Sequence, residues 1–259
     1  MSTDSNSTIT AADLLRSLST MAVFLLLLVI ATPIMLILMV ITFGKAGNFV
    51  VEKIAPLLAR PALAVAGVKF YVKNHTGSVP SPAVYIINHS STLDMLTLLA
   101  MGLPAIRFVA KWQLQYNPVF FVVGRLTGQV FIRRERSEKA VATLKKNISR
   151  LRRQKLSIML APEGSRKHEG IIGPFKKGAF HMALELGYPI VPIYFEGNRE
   201  LNPGGTLITK KGTVVAHIHP PVDTSQWDKS TLSDHVESVR NLYLKWAGAE
   251  TGDHLKETG

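Results

Sequence analysis

The chain of 259 residues contains no cysteine. Disulfides, thiolate metal sites and a cysteine nucleophile are therefore excluded, and covalent chemistry must come from oxygen or nitrogen nucleophiles. Acidic residues are scarce: 18 Asp and Glu stand against 30 Lys and Arg, for a formal charge of +12. Such an imbalance favours anionic partners, whether nucleic acid, acidic lipid headgroups or phosphorylated substrates, and composition does not choose among them. Charge of either sign is missing altogether from Ser17 to Gly44, and Ala22 to Ile41 is almost wholly aliphatic. The uncharged run exceeds the ~20 residues needed to cross a hydrocarbon core. It is too long for the ~7–15-residue apolar region of a cleaved signal peptide. There is no internal repeat and no low-complexity segment.

Four regions are expected: a polar tail (1–17), a membrane-anchoring helical segment (18–66), an α/β unit (67–225), and a C-terminal amphipathic helix with its tail (226–259). Thr10 or Asp13 can cap the helix entering the apolar run. Pro33 removes one helical hydrogen bond and either kinks the segment or turns it back as a re-entrant hairpin. Arg16 on one flank and Lys45, Lys53 and Arg60 on the other put the bulk of the chain on the cytoplasmic side. Residues 46–66 pair Phe49, Val50, Ile54 and Leu57 with those basic residues and predict a second, interfacial helix, short or bent because of Pro56 and Pro61.

From Gly67 onward short β-like runs alternate with helical stretches. Strands are predicted at Val68–Lys73, Ala83–Ile87, Ile106–Ala110, Gln129–Ile132, Leu156–Leu160, Ile190–Phe195 and Val214–Ile218. Helices are predicted at Thr92–Met101, Ser137–Arg153, Gly178–Leu186 and Leu232–Trp246. This alternation points to an α/β fold, a sheet covered by helices.

Two short stretches carry chemistry. In Asn88-His89-Ser90-Ser91-Thr92-Leu93-Asp94 the strand Val84–Ile87 runs into a histidine, and Ser90 or Ser91 is a natural N-cap for the helix that follows. On a continuous helix, positions five apart lie ~140° from each other and do not meet. With His89 on the loop and Asp94 in the first helical turn, the two can. An ionised Asp94 would fix one imidazole nitrogen as donor and leave the other as base. The plainer alternative is that His89 closes the strand and Asp94 caps the helix. No other ligand type lies close enough in sequence to complete a metal site.

The second stretch, Ala161-Pro162-Glu163-Gly164-Ser165-Arg166, follows the strand Leu156–Leu160, at the carboxyl end where α/β sheets bind ligands. Gly164 lets backbone N–H groups approach a ligand. Arg166 offers a planar fork for phosphate, and Glu163 can hold that fork or accept from a substrate hydroxyl. A solvated turn is the alternative. Of Arg133 and Arg134, adjacent on an extended segment, only one can face the site. Lys111, past the strand Ile106–Ala110, is a third candidate cation. The basic residues from Lys145 to Lys155 read as a solvated helix face or one that touches acidic lipid.

These residues resemble the glycerolipid acyltransferase family, in particular the bacterial 1-acyl-glycerol-3-phosphate acyltransferases. Four family blocks stand in the expected order: N-H-x-x-x-x-D at Asn88–Asp94, G-x-x-F-I-x-R at Gly128–Arg134, F-P-E-G-T-R-S at Ala161–Lys167, and V-P-I at Val191–Ile193. Pro174 to Phe180 matches the family segment after the third block. Ala161, Ser165 and Lys167 depart from the usual Phe, Thr and Ser, and Gln113 stands where many relatives carry Glu.

The resemblance implies a mixed sheet flanked by helices, with a hydrophobic N-terminal membrane anchor. It implies transfer of a fatty acyl group from acyl-CoA or acyl carrier protein to the sn-2 hydroxyl of lysophosphatidic acid, giving phosphatidic acid. His89 would be the general base oriented by Asp94, with direct attack of the hydroxyl and no acyl-enzyme. Lys111, Arg134, Glu163, Gly164 and Arg166 would bind the substrate phosphate, and Val191 and Pro192 would form an acyl-site or packing element. No metal, cofactor or nucleic-acid partner is implied. The expected location is the bacterial inner membrane, with the catalytic unit facing the cytoplasm. Two rivals stay open at this point: the same transfer to another acceptor (glycerol 3-phosphate, another lysophospholipid or an ornithine-type lipid), and a non-catalytic, membrane-anchored anion binder.

Overall fold

The computed structural model describes residues 9–133, 137–166, 170–203 and 206–249. The uncharged N-terminal run is one helix, α1 (Ala11–Ile41), that continues through Pro33. The re-entrant hairpin is not formed. Thr10 is the N-cap: its hydroxyl accepts from Asp13 N–H while the Asp13 carboxylate accepts from Thr10 N–H, a reciprocal capping box. Ser17, Thr20, Phe24, Leu28, Ala31, Met35 and Met39 are buried. Their spacing of three and four makes one stripe laid along the rest of the molecule, while Leu15, Leu26, Ile30, Ile37 and Val40 on the other faces are exposed.

The segment expected as a short or bent helix comes in three pieces. These are α2 (Gly47–Phe49), a π-helical turn (Val50–Ile54) and α3 (Ala55–Val65). Pro56 falls in the first turn of α3, directly after the π-helical turn.

The chain then alternates as the apolar pattern predicts: β1 (Val68–Asn74), β2 (Val84–Ile87), α4 (Asp94–Met101), β3 (Ile106–Lys111), a 3₁₀ turn (Trp112–Tyr116), α5 (Pro118–Leu126), β4 (Val130–Ile132), α6 (Ser137–Arg153), β5 (Ser157–Leu160), α7 (Gly178–Leu186), β6 (Ile190–Glu196), α8 (Asn198–Leu201), β7 (Gly212–Ile218) and α9 (Leu232–Trp246). Among the described residues the strands form one mixed sheet in the order β1-β7-β6-β2-β5-β3-β4. All neighbours are parallel except β6 and β7. The α/β class with a mixed, helix-flanked sheet is therefore observed.

β2 lies at the centre, with Val84–Ile86 opposite Ile158–Leu160 of β5 and Val84–Ile87 opposite Ile190–Ile193 of β6. Its four side chains are all buried because the sheet is covered on both faces. Tyr85 and Ile87 join Leu63, Ile106 and Val191 in the core beneath α1, α3 and α4. Val84 and Ile86 join Ile158, Phe180 and Tyr243 in the core beneath α6, α7 and α9. Tyr243 of α9 also reaches into the ladder: its hydroxyl donates to Ile86 C=O at 2.8 Å and accepts from Ile193 N–H at 3.1 Å. Burial holds this phenol well above its usual pKa, so it stays a donor. The helix thus pins β2 to β6 just below the point where β2 leaves the sheet.

Candidate active site

β2 ends at Ile87, and Asn88 continues its pairing with β6 through a side chain. The Asn88 amide donates to Phe195 C=O at 3.0 Å and accepts from Phe195 N–H at 2.7 Å. This extra rung fixes where the chain turns out of the sheet. His89 is the next residue, with a side chain 17% exposed and Nδ1 2.8 Å from Asp94 Oδ2. Asp94 itself is buried, with its side chain 1% exposed. The same Oδ2 accepts from Ser90 N–H at 3.1 Å and Ser91 N–H at 3.0 Å. Its other oxygen, Oδ1, accepts from Asn198 Nδ2 at 2.7 Å.

Here the structure corrects two expectations. The helix begins at Asp94, not Thr92, and its N-cap is Leu93 without a side-chain cap. Neither Ser90 nor Ser91 caps it. The first-turn carboxylate bends back instead and collects the loop's own N–H groups, which is why the loop closes around it. Ser91 Oγ accepts from Leu93 N–H at 3.0 Å and donates to Asn202 Oδ1 at 2.9 Å; Thr92 N–H donates to that same oxygen at 2.8 Å. The loop is therefore clamped from outside by Asn202 and from within by Asp94. A carboxylate surrounded by donors is an acceptor only. His89 Nδ1 must then carry its proton, and the electron pair lies on Nε2.

Glu163 lies beside this loop, buried at 5% exposure. Its Oε1 accepts from His89 N–H at 2.6 Å and its Oε2 from Gly173 N–H at 2.8 Å. The carboxylate thus ties the turn after β5 to the loop after β2, a role that sequence reasoning did not assign to it. Gly164 follows with φ +69°, a conformation that favours glycine. A Cβ there would stand 3.0 Å from Lys176 Nζ. The Lys176 amine therefore lies over the turn, and its backbone N–H donates to Pro162 C=O at 2.8 Å. Lys176 was not singled out in the sequence; its place in the Pro174–Phe180 stretch was the available signal. Arg166 completes the turn, half-buried.

Lys111 ends β3, paired in register with Ile132 of β4. Because β2, β3, β4 and β5 run parallel, Lys111 leaves the sheet at the same end as His89 and Glu163. Arg133 holds its guanidinium over the Trp112 ring at 4.9 Å. Arg134 and Lys167 lie outside the described residues. Val191 and Pro192 are buried inside β6, below Phe195, away from the end where His89 emerges. Among the described residues no group of three or more His, Asp or Glu side chains is arranged to hold a metal ion. The gathered set is one imidazole with a buried carboxylate behind it, beside a glycine turn with Arg166 and Lys176. It can remove a proton next to a bound anion.

Residues 69–196 match the family model described as Acyltransferase. The chain is 34% identical over 165 residues to the 1-acyl-sn-glycerol-3-phosphate acyltransferase of Haemophilus influenzae, covering 64% of this chain and 68% of that protein. It is 31% identical over 180 residues to the protein of that name from Saccharomyces cerevisiae, covering 69% of this chain and 57% of the other. For the Escherichia coli protein of that name the identity is 31% over 160 residues, covering 62% and 64%. The chain thus spans less than two thirds of the yeast and E. coli relatives. Its fold is shared with the crystal structure of the 1-acyl-sn-glycerophosphate (LPA) acyltransferase, PlsC, from Thermotoga maritima, with a TM-score of 0.75 at 22% identity, covering 92% of this chain and 98% of that one.

Proposed function

We propose, from the premise that this chain belongs to the acyltransferase family, that it moves a fatty acyl group onto the sn-2 hydroxyl of 1-acyl-glycerol 3-phosphate. The donor is a thioester, acyl-CoA or acyl carrier protein, and the product is phosphatidic acid. The observation that carries this reading is the 2.8 Å contact between His89 Nδ1 and the buried Asp94 carboxylate, next to the Glu163–Arg166 turn.

In the proposed reaction His89 Nε2 takes the proton of the acceptor hydroxyl as its oxygen bonds to the thioester carbonyl carbon. The C–S bond then breaks, and the departing thiolate takes the proton back from the imidazolium. Asp94 stabilises that imidazolium and holds its tautomer. With no cysteine in the chain, no thiol of the enzyme can carry the acyl group. Arg166, Lys176, Lys111 and Arg134 supply positive charge for the glycerol phosphate, and Gly164 leaves room for the Lys176 side chain to lie over the turn. Glu163 contributes by holding the two loops at a fixed separation. Val191 and Pro192 serve as a packing element of the sheet beneath.

The exposed apolar faces of α1 support a bilayer partner. A contiguous apolar surface of this length is not left to water. Because one stripe of α1 is docked along the molecule, residues 18–66 would bring residues 67–225 up against the lipid surface where acceptor and product reside. We place the protein at the bacterial inner membrane with the catalytic unit on the cytoplasmic side.

Purified protein given labelled acyl-CoA, or acyl carrier protein, and a panel of acceptors tests the reading. Labelled phosphatidic acid from lysophosphatidic acid is expected. Preference for glycerol 3-phosphate or a larger lysophospholipid headgroup would replace the acceptor named here.

A further inference from the structure

The fourth partner of the Asp94 carboxylate comes from a distant part of the chain. Asn198 is the first residue of α8, just after β6, and is fully buried. Its Nδ2 donates to Asp94 Oδ1 at 2.7 Å and lies 3.2 Å from Thr97 Oγ1. The turn that delivers it is built for that purpose. Gly197 has φ +93°, and a Cβ there would stand 2.3 Å from Thr213 C=O, so a side chain at that position would push α8 off β7.

The other half of the Asn198 amide is informative. Its Oδ1 is buried and has no hydrogen-bond partner. A buried acceptor without a partner weakens the fold, and an apolar side chain of the same size would avoid that cost. What an apolar side chain could not do is donate to Asp94. The amide is also neutral, whereas a carboxylate in its place would confront Asp94 with like charge.

We infer that Asn198 is a positioning residue for the reaction, holding the Asp94 carboxylate aimed at His89 and drawing part of its charge away from the imidazole. The inference rests on the reading of His89 as general base. Asp94 has three donors on the oxygen that faces the loop and one on the oxygen that faces α8. Remove that one and Oδ1 loses the donor that anchors it from α8. The carboxylate's charge then falls more heavily on His89, which favours imidazolium and raises the pH at which Nε2 becomes a free base.

The test compares wild type, Asn198→Leu, Asn198→Asp and His89→Ala as full-length protein. The readouts are kcat, KM for lysophosphatidic acid, the pH profile of kcat/KM and the thermal midpoint. Asn198→Leu is expected to lower kcat about 10–100-fold, the scale on which outer partners of a site act, with KM nearly unchanged. It is expected to move the acid limb of kcat/KM to higher pH. Asn198→Asp sets a second carboxylate against the first and should move that limb further the same way, by about one unit or more. A residue that only stabilises the fold would lower the midpoint and leave the limb in place; that result in both variants overturns the inference. If His89→Ala is inactive while the Asn198 variants keep the wild-type profile, the base assignment survives and the positioning role alone is lost. If His89→Ala keeps its turnover, both are lost together.

Discussion

Asp94→Asn keeps the shape of the side chain at the centre of the site and removes its charge. Four donors address this carboxylate: His89 Nδ1–H, Ser90 N–H and Ser91 N–H on one oxygen, and Asn198 Nδ2 on the other. An amide has one oxygen to offer. If that oxygen stays toward the loop, its –NH₂ confronts the Asn198 –NH₂; if it flips, three donors face an –NH₂. The first arrangement is the cheaper and still strands buried donors, at about 1–3 kcal/mol. For a chain of this size that lowers the thermal midpoint by roughly 2–4 °C per kcal/mol. The kinetic effect is larger, because a neutral amide at this position does not stabilise the imidazolium that forms as the hydroxyl loses its proton. Loss of the base contribution lowers turnover by about 10²–10⁴-fold. The assay is release of free CoA from a labelled acyl donor, run well below the midpoint of both proteins, with circular dichroism to confirm the fold. Turnover within a few-fold of wild type in a folded Asp94→Asn protein would refute the reasoning, since the imidazole would then need no carboxylate behind it.

Glu163→Gln replaces one of two acceptors by an –NH₂ facing either His89 N–H or Gly173 N–H. We expect a stability loss of about 1–3 kcal/mol together with a fall in kcat, read from a thermal melt and turnover. A rise in KM for the acceptor with an unchanged melt would instead place Glu163 on the substrate. Gly124→Ala puts a Cβ 2.4 Å from Phe131 Cζ, a ring buried in β4, so α5 must shift; a loss of about 1–3 kcal/mol in urea unfolding is expected, with activity retained by the folded protein. His219 stacks on Trp246 with ring centroids 3.5 Å apart, near His75 and His217, and burial, then those two rings, push its pKa down to about 4. The folded value lies below the unfolded one, so this stability is complete above pH ~6.5 and is lost as pH falls toward 4. Discounted for solvent screening, the loss is about 1–2 kcal/mol, and His219→Phe should flatten that part of the acid-unfolding curve. An unchanged curve in His219→Phe would assign the acid sensitivity to other groups.

The elements that read most clearly are those whose pattern and punctuation agree. Helices α6, α7 and α9 have the predicted bounds, α7 because Gly187 stops it in the left-handed conformation. β2 and β5 are visible as apolar runs because both faces of the sheet are covered. α5 escapes such a reading: Val-Phe-Phe-Val-Val is apolar at every position and carries no period. The signal lies in Asn117-Pro118, a cap followed by proline at the first helical position, and Asn117 Oδ1 does accept from Val119 N–H. The start of α4 reads too early because Ser90 and Ser91 look like caps, while the acceptor that collects the loop is Asp94 itself.

The pairing of His89 with Asp94 is legible because it is local. Its supports are not. Asn198 stands 104 residues from Asp94, and Asn88 reaches Phe195 across 107. Such contacts follow from the position of β6 beside β2, which depends on strand order and cannot be read along the chain. The tie from Glu163 to His89 depends in the same way on β5 lying against β2.

The most direct measurement is transfer of a labelled acyl chain from CoA to lysophosphatidic acid in lipid vesicles by wild type and His89→Ala. The account predicts phosphatidic acid and free CoA in equal amounts from wild type. It predicts background levels from His89→Ala, with folding and vesicle binding unchanged. Transfer at the wild-type rate by a folded His89→Ala protein would contradict it.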